Sequence, residues 1–305
     1  MNKTDKKSVI EIGLNAAIVS LEENDPHILT VLSHDESHDG LPFGPFDPLV
    51  HRTMEIGVRG FVRDQTGLDV SYFEQLYTFG DRGRVTALES GELHVVSIGY
   101  LALTRMIDSV INSGSSAAIW RNWYRSFPWE DQRNGAPEII QAEIIPRLMI
   151  WAGKRSTVAL QRRATERVNI CFGLNGSVFD EEKVLDRYEL LYEAGLLFEA
   201  KRDGRSAALD WEDLPRLGEP MILDHRRILA TAMSRIRAKI KYRPVIFDFM
   251  PENFTLLELQ QSVEGISCNL LHKQNFRRLV ENGGLVVPSG KMSSQTGGRP
   301  AKLFR

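Results

Sequence analysis

Residues 255–305 read TLLELQQSVEGISCNLLHKQNFRRLVENGGLVVPSGKMSSQTGGRPAKLFR, and this stretch decides how the chain is read. Thr255 and Glu258 stand three apart ahead of an apolar run. At that spacing a threonine hydroxyl and a glutamate carboxylate each accept from the other's backbone amide and close the first turn of a helix. Leu256, Leu259, Val263 and Ile266 then recur at helical spacing and predict a buried face. After a short turn, HKQNFRRLVENGG predicts a second helix. Phe276, Leu279 and Val280 point inward in this reading, and Gly283 ends the helix. LVVPSG and PAKLFR read as two short strands flanking a basic loop, KMSSQTGGR.

Helix, turn, helix and two-stranded wing is the winged form of the helix-turn-helix. The outward set of the second helix suits a duplex. Lys273, Arg277 and Arg278 can donate to guanine O6 and N7, and the amides of Gln274 and Asn275 can pair with adenine. Lys291, Arg299 and Lys302, around Gly297-Gly298, offer cations to phosphate where small residues allow close approach. A winged helix that contacts protein is the alternative reading, and it does not ordinarily carry such a basic surplus.

The charge distribution points the same way. Residues 226–305 hold fourteen Lys/Arg against five Asp/Glu, so a net charge of −2 leaves about −11 on the first 225 residues. A basic end on an acidic body is the electrostatic footprint of a nucleic-acid module, although a solvated helix face would also produce it. Just upstream, HRRILATAMSRIRAKIKYRP repeats Ile228, Ala232, Ile236 and Ile240 every four residues. Arg226, Arg227, Arg235, Arg237, Lys239 and Lys241 occupy its other faces, and Pro244 stops it. This predicts a linker helix that packs on one side and leaves its basic faces to solvent or DNA.

Residues 8–33 predict two strands joined around Asn24-Asp25-Pro26. A Gly/Pro/Asp-rich loop follows. Next comes a helix capped by Asp47 with Pro48 in its first turn and a stripe of Val50, Met54, Val58, Phe61 and Val62, ended by Gly67. Strands are expected over 73–79 and 93–103, and residues 104–225 read as mostly helical, as over 138–152 and 180–194. The predicted fold class is α+β. An N-terminal α/β sandwich spans 1–225 with a helical insert at about 104–225, and a linker helix and winged helix-turn-helix span 226–305.

Other classes find little support. No stretch approaches the ~20 apolar residues that span a bilayer, so no membrane is expected. The charged start MNKTDKKSVIEIGLN lacks the apolar run of a signal peptide. Two cysteines, Cys171 and Cys268, make no disulfide framework and suit a reducing cytoplasm. There is no P-loop and no Gly-x-Ser-x-Gly elbow.

Residues 41–70, LPFGPFDPLVHRTMEIGVRGFVRDQTGLDV, resemble a Nudix box: a Gly-rich loop, a helix ending in Arg-Glu-apolar-x-Glu-Glu, and a Thr-Gly-Leu-like turn. In that motif the glutamates hold divalent cations on a pyrophosphate. Aligned on Thr66-Gly67-Leu68, the six places hold Gly60, Phe61, Val62, Arg63, Asp64 and Gln65. Only Asp64 keeps a carboxylate, beside the cation Arg63, so no catalytic residue and no metal are expected. A Nudix-like domain without its metal site, followed by a winged helix, resembles the Nudix-related transcriptional regulators of the NrtR family. The agreement is strongest over 224–305, in DHRRILATAMSRIRAKIKYRPVIFDFMPENFTLLELQQ and in the NFRRLVENGGLVVPSG and GGRPAKLFR segments. The long middle resembles the longer branch of NadQ-type repressors of NAD biosynthesis.

The resemblance implies a cytoplasmic homodimer that binds a palindromic double-stranded operator near genes of NAD metabolism. It also implies an adenine-nucleotide effector (ATP, NAD or ADP-ribose) on the Nudix-like domain. For that effector Arg82 and Arg84, in FGDRGR, could meet phosphates, or form a plain surface turn. Phe43 and Phe46 could stack on adenine, or close the edge of a core. The aromatic run Trp120, Trp123, Tyr124, Phe127 and Trp129 reads as packing. The cluster His34, Asp35, Glu36, His38 and Asp39 reads as a solvated loop, and Glu11 and Glu55 could only serve a residual metal site. The competing reading is an active hydrolase of nucleoside diphosphate derivatives that also binds DNA.

Overall fold

The computed structural model describes residues 9–33, 38–81, 93–106, 116–242, 245–293 and 300–305. Strand β1 (Val9–Glu22) turns tightly into β2 (Asp25–Ser33) through Glu23 and Asn24, whose φ values of 49° and 70° are left-handed. Two consecutive left-handed residues match the right-handed twist of the flanking strands. Then follow β3 (Phe43–Pro45), helix α1 (Met54–Thr66), β4 (Tyr72–Phe79), β5 (Leu93–Leu103) and β6 (Ser116–Asn122). Among the described residues these strands form one mixed sheet in the order β4-β5-β1-β2-β6, with β3 paired to β1 and β5 parallel to β1.

Helix α1 covers one face. Leu14, Ala16 and Ile18 of β1 point toward it and bury Val58 and Val62. It begins later than expected. Thr53 is its cap, accepting from the Ile56 amide at 3.2 Å, while Asp47 accepts from the Leu49 amide at 2.8 Å and closes a separate turn. Val50 lies before the helix and is exposed. Gly67 ends α1 at φ 72°, as predicted.

The stretch expected to be mostly helical opens with a strand. β6 pairs with β2 from Ser33↔Ser116 to His27↔Asn122 and completes the sheet. Helices follow: a π-turn over Ile140–Ile144, α2 (Ile145–Gly153), α3 (Val158–Phe172), α4 (Val184–Glu193) and the short α5 (Phe198–Arg202). Trp123, Tyr124, Phe127 and Trp129 are buried between these helices and the sheet, and Trp120 is half-buried against the α1 side.

Helix α6 (His225–Tyr242) is the basic helix read as a linker. It instead forms the second layer of the sandwich, packing on β1, β4, β5 and α4. Ile228, Ala232 and Ile236 are fully buried. Gly99 of β5 makes the approach possible, because a Cβ there would stand 3.0 Å from the Ile228 side chain. Beyond α6 come α7 (Leu256–Ser267), α8 (Lys273–Asn282) and the wing strands β7 (Pro288–Met292) and β8 (Lys302–Phe304). Phe254 pairs with Phe304 and ties the wing to the entry of α7. One apolar cluster runs from Ala17 and Val19 of β1 through α6 to Leu259, Val280 and Phe304. Among the described residues no helix is long and apolar enough to cross a membrane.

Candidate nucleic-acid interface

The capping box at Thr255 forms as read. The Glu258 amide donates to the Thr255 hydroxyl at 3.1 Å, and the Thr255 amide donates to the Glu258 carboxylate at 2.7 Å. Leu256, Leu259 and Ile266 are buried and Val263 packs beside them. Cys268 closes α7 in a left-handed conformation, φ 59°.

Helix α8 is held by a narrow strip. Val280 is buried and Phe276 half-buried, but Leu279 is 65 % exposed and does not join the core as predicted. Gly283 ends the helix as predicted, at φ −73°, and the left-handed residue is the next one, Gly284, at φ 64°. Lys273, Gln274, Asn275, Arg277 and Arg278 are all exposed. Among the described residues their side chains have no partner within the chain, so five donor-bearing side chains of one helix stand ready for another molecule. Lys291 of β7 and Lys302 of β8 are exposed on the wing. Arg299, with Gly297 and Gly298, lies outside the described residues, as do Arg82 and Arg84.

The cations of α6 behave differently. Arg226 and Arg237 are buried, and Arg227 is mostly so. Arg226 pairs with Glu199 at 3.2 Å, Arg227 with Asp81 at 2.6 Å, and Lys241 with Glu181 at 2.6 Å. Lys239 pairs with Glu74. Thus the basic surplus of 226–305 is partly internal neutralisation of the acidic body. Residues 246–305 alone hold seven Lys/Arg against five Asp/Glu.

Arg237 belongs to a buried network that joins the sandwich to α7. Glu130 receives Arg187 at 2.6 and 2.8 Å and Arg237 at 2.8 Å. Arg237 also donates to the carbonyl of Ile266 at 2.9 Å. The Tyr124 hydroxyl donates to the carbonyl of Gly265 at 2.8 Å. Burial alone would raise the Glu130 carboxyl, but the two guanidinium groups more than offset it and hold it below the usual carboxylate range. Burial pushes the Tyr124 hydroxyl up to about 12, so it stays a donor. The β1–β2 turn docks on the same helix. Ser262 donates to the Asn24 side chain at 3.1 Å, and a Cβ on Gly265 would fall 1.9 Å from the Asn24 carbonyl.

On the α1 side, the altered Nudix positions have taken structural work. The Phe61 ring lies so close to Gly44 that a Cβ there would be 2.4 Å from it. The Gln65 amide accepts from the Phe43 amide at 3.1 Å and donates to its carbonyl at 2.6 Å, clamping β3 to α1. Asp64 and Arg63 are exposed. Glu55 pairs with Arg59 at 2.9 Å. Phe43 and Phe46 are not brought together. The Phe43 ring meets His225 edge-on at 4.9 Å, whereas Phe46 packs against the α1-side core and His51. Asp39 accepts from Thr30 and from Arg121 and His38 rests on Phe198, while His34, Asp35 and Glu36 lie outside the described residues. Among the described residues no three His, Cys, Asp or Glu gather as a metal site.

A Nudix-like sandwich with a helical insert, carrying a winged helix-turn-helix whose second helix presents free donors, is the class of protein this fold defines. Residues 246–305 match the family model of the NrtR DNA-binding winged helix domain, and the C-terminal module belongs to that type. The curated ADPR responsive transcriptional repressor NtrR of Acinetobacter baylyi is 38 % identical over 86 residues, 28 % of this chain and 34 % of that protein. The match therefore spans about a third of that relative's length. Shewanella oneidensis NrtR, solved with a 27mer DNA, superposes with a TM-score of 0.55 at 18 % identity, over 96 % of this chain and 92 % of that one. A MutT/nudix family protein from Enterococcus faecalis gives 0.55 at 14 % identity, over 100 % and 89 %. The chain has the NrtR fold.

Proposed function

We propose that this chain is a nucleotide-responsive DNA-binding transcriptional regulator, a repressor of genes of NAD metabolism. The observation that carries the reading is the free outward set of α8 on an NrtR-type winged helix. In this reading Lys273, Gln274, Asn275, Arg277 and Arg278 enter the major groove, and Lys291, Arg299 and Lys302 hold phosphate. The regulator acts in the cytoplasm as a homodimer on a palindromic operator. The boundary between its parts falls after α6, because α6 packs as a layer of the sandwich and the family match starts at residue 246.

The sandwich is the sensor. Its effector is an adenine nucleotide, with ADP-ribose first because the Acinetobacter relative is named for it, and NAD and ATP as alternatives. Arg82 and Arg84 are the candidate phosphate contacts, and one of Phe43 and Phe46 the candidate adenine contact, since the two rings pack against different elements. The sensor does not catalyse. Phe61 and Gln65 occupy positions where the Nudix motif needs carboxylates, and both are engaged in packing and backbone clamping.

Thermal denaturation with each nucleotide tests the sensor. A ligand at one hundred times its Kd stabilises the fold by about 2.7 kcal/mol. The same mixtures with magnesium, followed by product analysis, test catalysis. The expected result is a shift with one nucleotide and no turnover; robust turnover would establish the hydrolase reading instead.

A further inference from the structure

Behind α8 lies a cavity of about 610 Å3, a volume within the ~300–1,000 Å3 range of small-molecule sites. The end of α6, the turn Val245–Asp248, α7, the 269–272 connection and α8 itself surround it. Its floor is apolar, formed by Phe247, Leu259, Val263 and Phe276, and Leu279 stands at its rim, 65 % exposed. Interiors are ordinarily filled to crystal-like density. Apolar walls held this far apart favour a guest that replaces water.

The polar groups on the wall select the guest. Ser267 is 7 % exposed, and among the described residues its hydroxyl has no hydrogen-bond partner. A buried hydroxyl left unpaired is costly, so a guest that bonds to it gains. The side-chain amide of the half-buried Asn269 is also without a partner among the described residues. Charge is already balanced. Lys241 is the one Lys or Arg among the described lining residues, and it is held by Glu181 at 2.6 Å and Glu182 at 2.8 Å. A phosphate or carboxylate would meet Glu181 with no free cation to answer it, so the sensor's nucleotide does not suit this cavity. A neutral molecule with an apolar body and one or two hydrogen-bonding groups does.

The cavity also touches the face that reads DNA. Asn275 belongs to the outward set of α8 and lines the cavity as well. Val280 and Phe276, which hold α8 to the module, form part of the same wall. A guest seated there bears directly on the placement of the helix.

We propose that this cavity is a second effector site, that it takes a small neutral amphipathic molecule, and that its occupancy weakens DNA binding through α8. The site stands independently of the DNA-binding reading above; its effect on DNA rests on that reading.

The test is a fluorescence titration of the full chain with prodan, a neutral naphthalene that carries a ketone acceptor. Saturable binding of one prodan per chain is expected. Val263→Trp fills the cavity and should abolish it. Leu279→Gln changes a position already open to solvent, so it leaves folding intact, and it should weaken prodan roughly tenfold by removing apolar contact. Leu209→Gln, which alters an exposed leucine elsewhere, should not. Uncharged 2-acetylnaphthalene should displace prodan, and 2-naphthoate, the same shape with a carboxylate, should not. Saturating prodan should weaken binding to a random-sequence duplex about fivefold or more, and the duplex should weaken prodan by the same factor.

No saturable binding, binding that survives both Val263→Trp and Leu279→Gln, or an equal loss in Leu209→Gln would overturn the site. Equal displacement by 2-naphthoate would overturn the neutral class of ligand. Binding that appears only when the chain is diluted to a monomer would assign the cavity to a second copy instead. Prodan binding with unchanged duplex affinity would overturn the effect on DNA. A chain that binds prodan as expected but no duplex at all would sink the winged-helix reading and leave the site standing.

Discussion

Arg237 of α6 donates from Nε to the carbonyl of Ile266, 2.9 Å away in the last turn of α7, while its Nη1 rests 2.8 Å from Glu130. The last carbonyls of a helix have no partner within it, and here a cation from the sandwich supplies one. The first helix of the DNA-binding module is thus gripped by the layer that covers the sheet. A nucleotide that favours one placement of that layer would, through this grip, favour one placement of α8, which is the differential binding that coupling between sites requires.

Removing the shared carboxylate should loosen this joint. Glu130→Gln leaves Arg187 and Arg237 buried without a counter-charge, and breaking a buried pair in this way costs about 3–5 kcal/mol. Urea unfolding of the variant against the wild type measures it. A loss under about 1 kcal/mol, the scale of an exposed pair, would mean that the network is not sealed from water.

The docking of the β1–β2 turn on α7 depends on one missing Cβ. Gly265→Ala places a methyl group 1.9 Å from the Asn24 carbonyl, so the turn and the helix must separate. Overpacking of this kind costs about 1–3 kcal/mol. The unfolding midpoint should fall, and amide exchange should quicken in the turn and in α7 ahead of the rest of the sheet. Unchanged protection at both places would contradict the contact.

Acid should weaken the fold through His225. Burial, and then the nearby positive charge of Arg202, lowers this imidazole to about 3, and its Nδ1 accepts the Leu41 amide at 2.9 Å. A depressed folded-state pKa means that the unfolded chain takes up the proton first. The contribution is therefore complete above about pH 6.5 and is lost as pH falls toward 3. Relative to a His225→Gln variant, the wild type should lose about 1.4 kcal/mol per pH unit below 6.5. Parallel pH profiles for the two would show that the imidazole is reached by water.

Contacts of α8 should separate by chemistry. If Arg277 or Arg278 reads a base, its replacement by Ala should cost about 1–3 kcal/mol of discrimination at one operator position. Lys291→Gln and Lys302→Gln on the wing should weaken binding evenly across sequences and reduce the salt slope. Competition titrations with operator and random duplexes distinguish the two. Equal loss on both duplexes would remove base contact from that arginine.

Much of the architecture is legible where a local rule acts alone. The capping box at Thr255, the stop at Gly67 and the bounds of β5 all follow from residues close in sequence. The helix at 54 is harder, since both Asp47 and Thr53 are good caps; residues 47–51 close a turn of their own, with His51 accepting the Asp47 amide and its ring resting on Phe61. β6 is hidden because it opens on a serine and two alanines, which carry little strand signal, and its partner β2 lies some ninety residues upstream. The basic helix α6 misleads for a physical reason. Charge counts cannot tell a solvated arginine from one paired across the fold, and Arg226 and Arg237 find their carboxylates at Glu199 and Glu130. One local hint was present: Glu130 follows a run of buried aromatic residues, where a carboxylate needs a buried cation. Leu279 fits the apolar stripe of α8, yet the helix rolls it outward into the groove beside α7.

The measurement that tests the central claim most directly is a gel-shift titration of the full chain on DNA from upstream of NAD-biosynthesis genes, at moderate salt, with and without ADP-ribose, NAD and ATP. The account predicts a specific shift, lost in Arg277→Ala/Arg278→Ala, whose midpoint moves about 5- to 150-fold with one of the three nucleotides. A shift that no nucleotide alters, or none that exceeds binding to random DNA, would contradict it.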